Sequence, residues 1–162
     1  MMKSRRLFLF IFIVILSFML FQSFCLAGLM TLQGSSMEPT IKDGQKVMIS
    51  NYSKGTDPER GDIVLFKAEK LTYLKRVIGL PNEKVVIKNG AVYIATPSNS
   101  QGEQQLDEHY LAPGTVTEPD GEFLVPAGEY FVLGDKRSAS RDSRKIGCIP
   151  RKSITGKVTK IL

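Results

Sequence analysis

Val85-Val86-Ile87-Lys88-Asn89-Gly90-Ala91-Val92-Tyr93-Ile94 reads as two β-branched runs joined by Asn-Gly. Both central positions of a two-residue hairpin turn need positive φ, which Asn and Gly tolerate, so the stretch predicts a tight antiparallel hairpin. Working outward from it, short strand-like runs recur at residues 46–50, 63–67, 71–80 and 83–88, then at 91–95, 123–125, 130–133 and 156–161. Turn residues punctuate them, as in Pro58-Glu59-Arg60-Gly61-Asp62 and Pro126-Ala127-Gly128. Residues 96–122 are polar and contain Gly, Pro and Ser, which predicts a long loop or insertion. After Met30 no helical period lasts beyond a turn or two, and no repeat is present. Residues 31–162 are therefore expected to form one mostly-β domain with a closed or folded-over antiparallel sheet.

The chain's beginning has a different composition. Residues 1–6 carry Lys3, Arg5 and Arg6, and no Asp or Glu occurs before Glu38. Residues 7–30 are uncharged over 24 positions, about 36 Å as a helix. That length spans a hydrocarbon core of roughly 30 Å, and the run is apolar all round, unlike a core helix with a polar stripe. A cleavable leader is the competing reading, since small residues at Cys25 and Ala27 precede Gly28. The apolar run is longer than a usual leader's, so a retained single-pass anchor over 7–30 is expected. The basic flank then keeps the N-terminus cytoplasmic and exports residues 31–162 from the cell membrane.

Charge and cysteine usage narrow the function classes. The exported part holds 19 Lys and Arg against 16 Asp and Glu, without a dense basic run or interleaved aromatics, so nucleic acid is not an expected partner. A weak attraction to membrane lipid is the more natural use of that excess. Cys25 lies in the apolar run and Cys148 far along the exported part, so no intrachain disulfide is expected. One His and one exported Cys cannot make a zinc site, and no Gly-rich loop cradles phosphates. Neither metal nor cofactor is expected. His109 sits in the polar 96–122 segment without a nucleophile elbow nearby, and reads as a surface residue.

Two elements carry serine-based chemistry. Gly34-Ser35-Ser36-Met37-Glu38-Pro39-Thr40 fixes a tight backbone path that can present a hydroxyl, although two serines in a turn equally bond their own backbone. In the strand pattern Tyr73-Leu74-Lys75-Arg76-Val77-Ile78, Tyr73, Lys75 and Val77 share one face. A lysine there either snorkels at a sheet edge or, once desolvated, loses its proton easily. A neutral amine can take a proton from serine without any histidine. A third stretch, residues 134–144, is a loop of small residues and mixed charges, readable by itself as a solvated charge run.

In this order behind an apolar N-terminus, the three elements resemble bacterial type I signal peptidases over nearly the whole chain. The matching blocks are Ser36-Met37-Glu38-Pro39-Thr40, then Gly61-Asp62-Ile63-Val64, then Lys75-Arg76-Val77-Ile78-Gly79-Leu80-Pro81. Gly134, Asp135, Arg137, Ser140, Asp142, Ser143, Arg144 and Gly147 complete them. The resemblance implies a membrane-bound serine endopeptidase that removes signal peptides from secretory preproteins after small residues. It implies Ser36 as nucleophile, Lys75 as general base, Ser140 as the hydroxyl that orients the lysine, and Asp142 with Arg144 as a bracing ion pair. Met37, Ile41 and Leu74 are expected to line the substrate pockets. Two departures stand out. Lys136 replaces the family's usual Asn, and Gly34 stands where some members place a serine that helps bind the oxyanion. Alternative readings are a specialised maturation peptidase of the same fold and a non-catalytic relative.

Overall fold

A computed structural model describes residues 11–15, 27–52, 55–96 and 102–162. Its strands are β1 (Ala27–Thr31), β2 (Lys46–Asn51), β3 (Ile63–Ala68), β4 (Leu71–Gly79), β5 (Lys84–Lys88) and β6 (Ala91–Ala95). They continue with β7 (Gln104–Gln105), β8 (Gly121–Leu124), β9 (Glu129–Leu133), β10 (Ile149–Pro150) and β11 (Ile154–Ile161). One short helix, α1 (Ser143–Ile146), and two 3₁₀ turns, Arg137–Ala139 and Arg151–Ser153, interrupt them. The strands pair antiparallel in a seven-stranded sheet of order β1-β2-β11-β3-β4-β9-β10 and a four-stranded sheet of order β7-β6-β5-β8. Of the two expected forms, closure is not realised: no pairing among the described residues joins the ends of either sheet.

The β5–β6 hairpin forms as read, with Lys88 opposite Ala91 and both turn residues left-handed, Asn89 at φ 51° and Gly90 at φ 79°. Its apolar positions join Ile78, Phe131 and Leu133 in one core that fastens the small sheet to the large one. A second core, including Phe66, Val77, Tyr130 and Val132, lies on strands β3, β4 and β9. A third packs Met37 and Ile41 against Val47, Ile63 and Leu74. Where β4 passes from β3 to β9 the ladder shifts register between Val77 and Gly79. A Cβ at Gly79 would lie 2.5 Å from Val85 Cγ2, so this crossing admits only glycine without a shift of its neighbours.

The expected membrane helix needs one correction. Residues 11–15 are helical and exposed, while 1–10 and 16–26, including the basic flank, lie outside the described residues. Ala27–Thr31 is not helical but the edge strand β1, paired to β2 from Ala27↔Ser50 to Thr31↔Lys46. β2 has only β11 on its other side, so β1 satisfies a full row of β2 backbone groups that would otherwise face water. Among the described residues no helix is long and apolar enough to cross a membrane.

Candidate active site

Gly34 opens the serine loop at φ 96°, a conformation that glycine adopts without strain, and its N–H donates to Asp43 Oδ1 at 2.7 Å. One helical turn follows: Glu38 N–H donates to Ser35 O at 3.0 Å and Ile41 N–H to Met37 O at 2.9 Å. Met37 and Ile41 are fully buried in the core below, which nails the turn down and leaves Ser36 half-buried above it. A second loop holds the turn from the side, through Lys136 N–H donating to Ser36 O at 3.1 Å. The Ser36 N–H makes no hydrogen bond among the described residues.

Lys75 reaches this serine from the middle of β4. Val64 of β3 lies opposite it, and the side chain is only 4% exposed. Its Nζ donates to Ser36 Oγ at 2.8 Å and to Leu74 O at 2.9 Å. Burial pulls the amine down to about 8, against the weaker opposing pull of the Asp142 and Asp135 carboxylates. Of the two readings of a lysine on an apolar strand face, the desolvated one holds.

The next residue, Arg76, faces the other way and is also buried. Its guanidinium grips Asp135 with Nε at 2.9 Å and Nη2 at 2.7 Å from the two carboxylate oxygens, donates to Gly61 O at 3.0 Å, and stacks 3.9 Å from the Tyr110 ring centroid. Thr40 Oγ1 donates to Asp135 Oδ2 at 2.5 Å, so one carboxylate joins the base strand to the serine loop. Sequence reading gave Arg76 and Asp135 no role. Their alternation with Lys75 and Gly134 was the available signal.

Asp142 and Arg144 form the expected ion pair, two-pronged at 2.9 and 2.8 Å. Asp142 caps α1 and accepts from Gly134 N–H at 3.0 Å. Burial pushes its carboxyl up, yet the Arg144 guanidinium and the Gly134 N–H together hold it below the usual carboxylate range. Ser140 departs from expectation. Its Oγ is buried and without a hydrogen-bond partner, so it makes no bond to Lys75; it packs against Gly134 instead. The pocket assignment is corrected as well. Met37 and Ile41 are 0% and Leu74 3% exposed, so these three form a packed floor under Ser36 rather than walls open to a ligand. His109 lies on the surface, its side chain 83% exposed.

The segment 102–120, missed as part of this site, is pinned to it. Arg137 Nη1 donates to Glu108 Oε2 at 3.1 Å, Arg137 also bonds Thr117, and Tyr110 Oη donates to Glu108 Oε1 at 2.7 Å.

The chain matches the family described as signal peptidase, peptidase S26 over residues 4–162. Signal peptidase IB of Staphylococcus aureus is 38% identical over 149 residues, which cover 80% of this chain and 74% of that protein. A probable signal peptidase I-2 of Synechocystis sp. is 38% identical over 132 residues, covering 76% of this chain and 57% of that one. Among solved structures, a signal peptidase I from Enterococcus faecalis V583 superposes with a TM-score of 0.53 at 30% identity, over 64% of this chain and 98% of that one.

Proposed function

The chain belongs to the signal peptidase, peptidase S26 family, whose reaction is the removal of signal peptides from secretory preproteins, and we propose that Ser36 and Lys75 carry that reaction here. The observation behind this reading is the 2.8 Å contact between Ser36 Oγ and a buried amine whose pKa is near 8. When the amine is neutral the contact reverses, and the Ser36 hydroxyl donates to the Nζ lone pair. Oγ then attacks the carbonyl of the last signal-peptide residue as its proton passes to Nζ. The unbonded Ser36 N–H faces the developing oxyanion without a side-chain donor from position 34. The ammonium returns its proton to the departing amine, the mature protein leaves, and water hydrolyses the ester on Ser36.

Placement of the substrate follows from β4. β3 pairs with this strand from Leu71 to Arg76, whereas β9 takes the opposite edge only from Arg76 onward. The free edge of residues 71–75 ends at Lys75, so an extended peptide adding there reaches Ser36 at its end. The packed floor of Met37, Ile41 and Leu74 leaves little depth under the reacting carbonyl, which supports cleavage after small residues. The apolar run over 7–26, ahead of β1, supports a membrane anchor that brings the site to the bilayer surface where signal peptides lie.

The test is cleavage of a preprotein by the detergent-solubilised full chain beside Ser36→Ala, Lys75→Met and Ser35→Ala. The first two are expected to be inactive and the third to cut. Activity retained by Ser36→Ala or Lys75→Met refutes the assignment.

A further inference from the structure

A groove of about 550 Å³ opens beside the serine turn, lined by Glu38 and Pro39 of that turn and by none of residues 71–75. Glu38, Pro39, Lys136 and Ser138 form one side, and Val116 and Glu118 the other. At its inner rim Lys136 Nζ meets Glu38 Oε2 at 2.9 Å, with side chains 42% and 33% exposed. The two residues are tied to the nucleophile by backbone alone: Glu38 lies two positions beyond Ser36, and Lys136 N–H holds the Ser36 carbonyl. Of the other charges nearby, Asp135 is held by Arg76 and Arg137 by Glu108, and Glu118 stands exposed across the groove. Side chains at the rim are therefore free to answer a ligand, and nothing in the fold needs this surface pair.

We propose that the Glu38–Lys136 pair is a specificity rim that reads the charge of the residues following the cut. This rests on the reading of Ser36 as nucleophile. A peptide whose leading residues lie on the free edge of β4 must leave across Ser36 on its far side, where the groove begins. At about 3.3 Å per residue in an extended chain, the second and third residues past the cut lie over the rim. In the native chain each charge offsets the other. Removing one unmasks its partner, so the two removals must act in opposite senses, whereas a merely structural role would move every substrate alike.

The experiment competes two preproteins in one reaction, identical but for Lys or Asp at the second and third residues after the cut. The full chain in detergent is compared with Lys136→Glu, Glu38→Lys and the double exchange. Because each ratio is taken within one variant, any loss of folded protein cancels. Lys136→Glu is expected to shift the kcat/KM ratio toward the Lys-bearing substrate by about three- to tenfold, a size set by half-exposed charges. Glu38→Lys is expected to shift it comparably toward the Asp-bearing one, with the double exchange returning near the parent ratio. Unchanged ratios, shifts of both variants in one sense, or an equal response to charges placed before the cut would overturn the proposal. Failure of the parent to cut any preprotein would instead overturn the Ser36 reading, and this inference with it.

Discussion

Gly34 and Gly134 flank the Ser36–Lys75 contact from two loops, and each excludes a side chain for its own reason. At Gly34 there is open space but φ is 96°, so a serine at this position would be strained whatever its hydroxyl offered. The absence of a side-chain oxyanion donor is thus written into the backbone path of this chain. At Gly134 the obstacle is crowding: a Cβ would sit 2.2 Å from Ser140 Oγ and 2.6 Å from Ser36 O. Gly134→Ala must therefore move the nucleophile turn or the 134–144 loop. It is expected to lower kcat on a preprotein at least tenfold, by displacing reacting atoms that must lie within hydrogen-bond reach. The accompanying cost in stability is about 1–3 kcal/mol, the usual range for overpacking, read from denaturant unfolding. A variant with the parent's kcat would show that the turn is not held by this contact.

Among the elements, β4 does the most. From Leu74 to Gly79 it is buried on both faces, so its two cations have nowhere to snorkel. One becomes the low-pKa amine and the other a clamp on Asp135. The alternating pattern of 71–80 made this strand and its cation-bearing faces legible, and the Asn-Gly turn made β5 and β6 legible. Other elements left no such trace. β7 and β10 have two residues each, too few for any period, and β1 continues the apolar run before it without a break in composition. The same limit applies to Met37, Ile41 and Leu74. Their apolar character was plain, but whether they face a ligand or a core depends on β2 and β3 packing beneath them. The pairing of Glu108 with Arg137 spans 29 positions, and only the folded chain brings the two together. It also decides what segment 102–120 is for. With Arg137 about 1% exposed, Glu108→Ala leaves a buried guanidinium unpaired, expected to cost about 3–5 kcal/mol in denaturant unfolding. A loss below about 1 kcal/mol would mean the segment is not braced by this pair.

At the scale of the whole molecule two properties meet, a place to work and a dry site. The uncharged run over 7–26, ahead of β1, predicts that the full chain stays with membranes after alkaline carbonate extraction, and release into the supernatant would contradict an anchor. Dryness is not the product of any one residue. Val64 of β3 and Val77 of β4, both in the second core, share the face of Lys75, and the serine turn meets its Nζ, so Lys75 is desolvated by three separately coded parts. Desolvation favours the neutral amine, and the neutral amine is the base. The most direct measurement is therefore the pH dependence of kcat/KM for the full chain on one preprotein, since it reports the free enzyme's essential base. The expected profile rises tenfold per pH unit at low pH and bends to a plateau near pH 8, where Lys75 titrates. A profile already flat between pH 6 and 8, or one that bends only near the ordinary lysine value of about 10.4, would contradict a buried amine as the base.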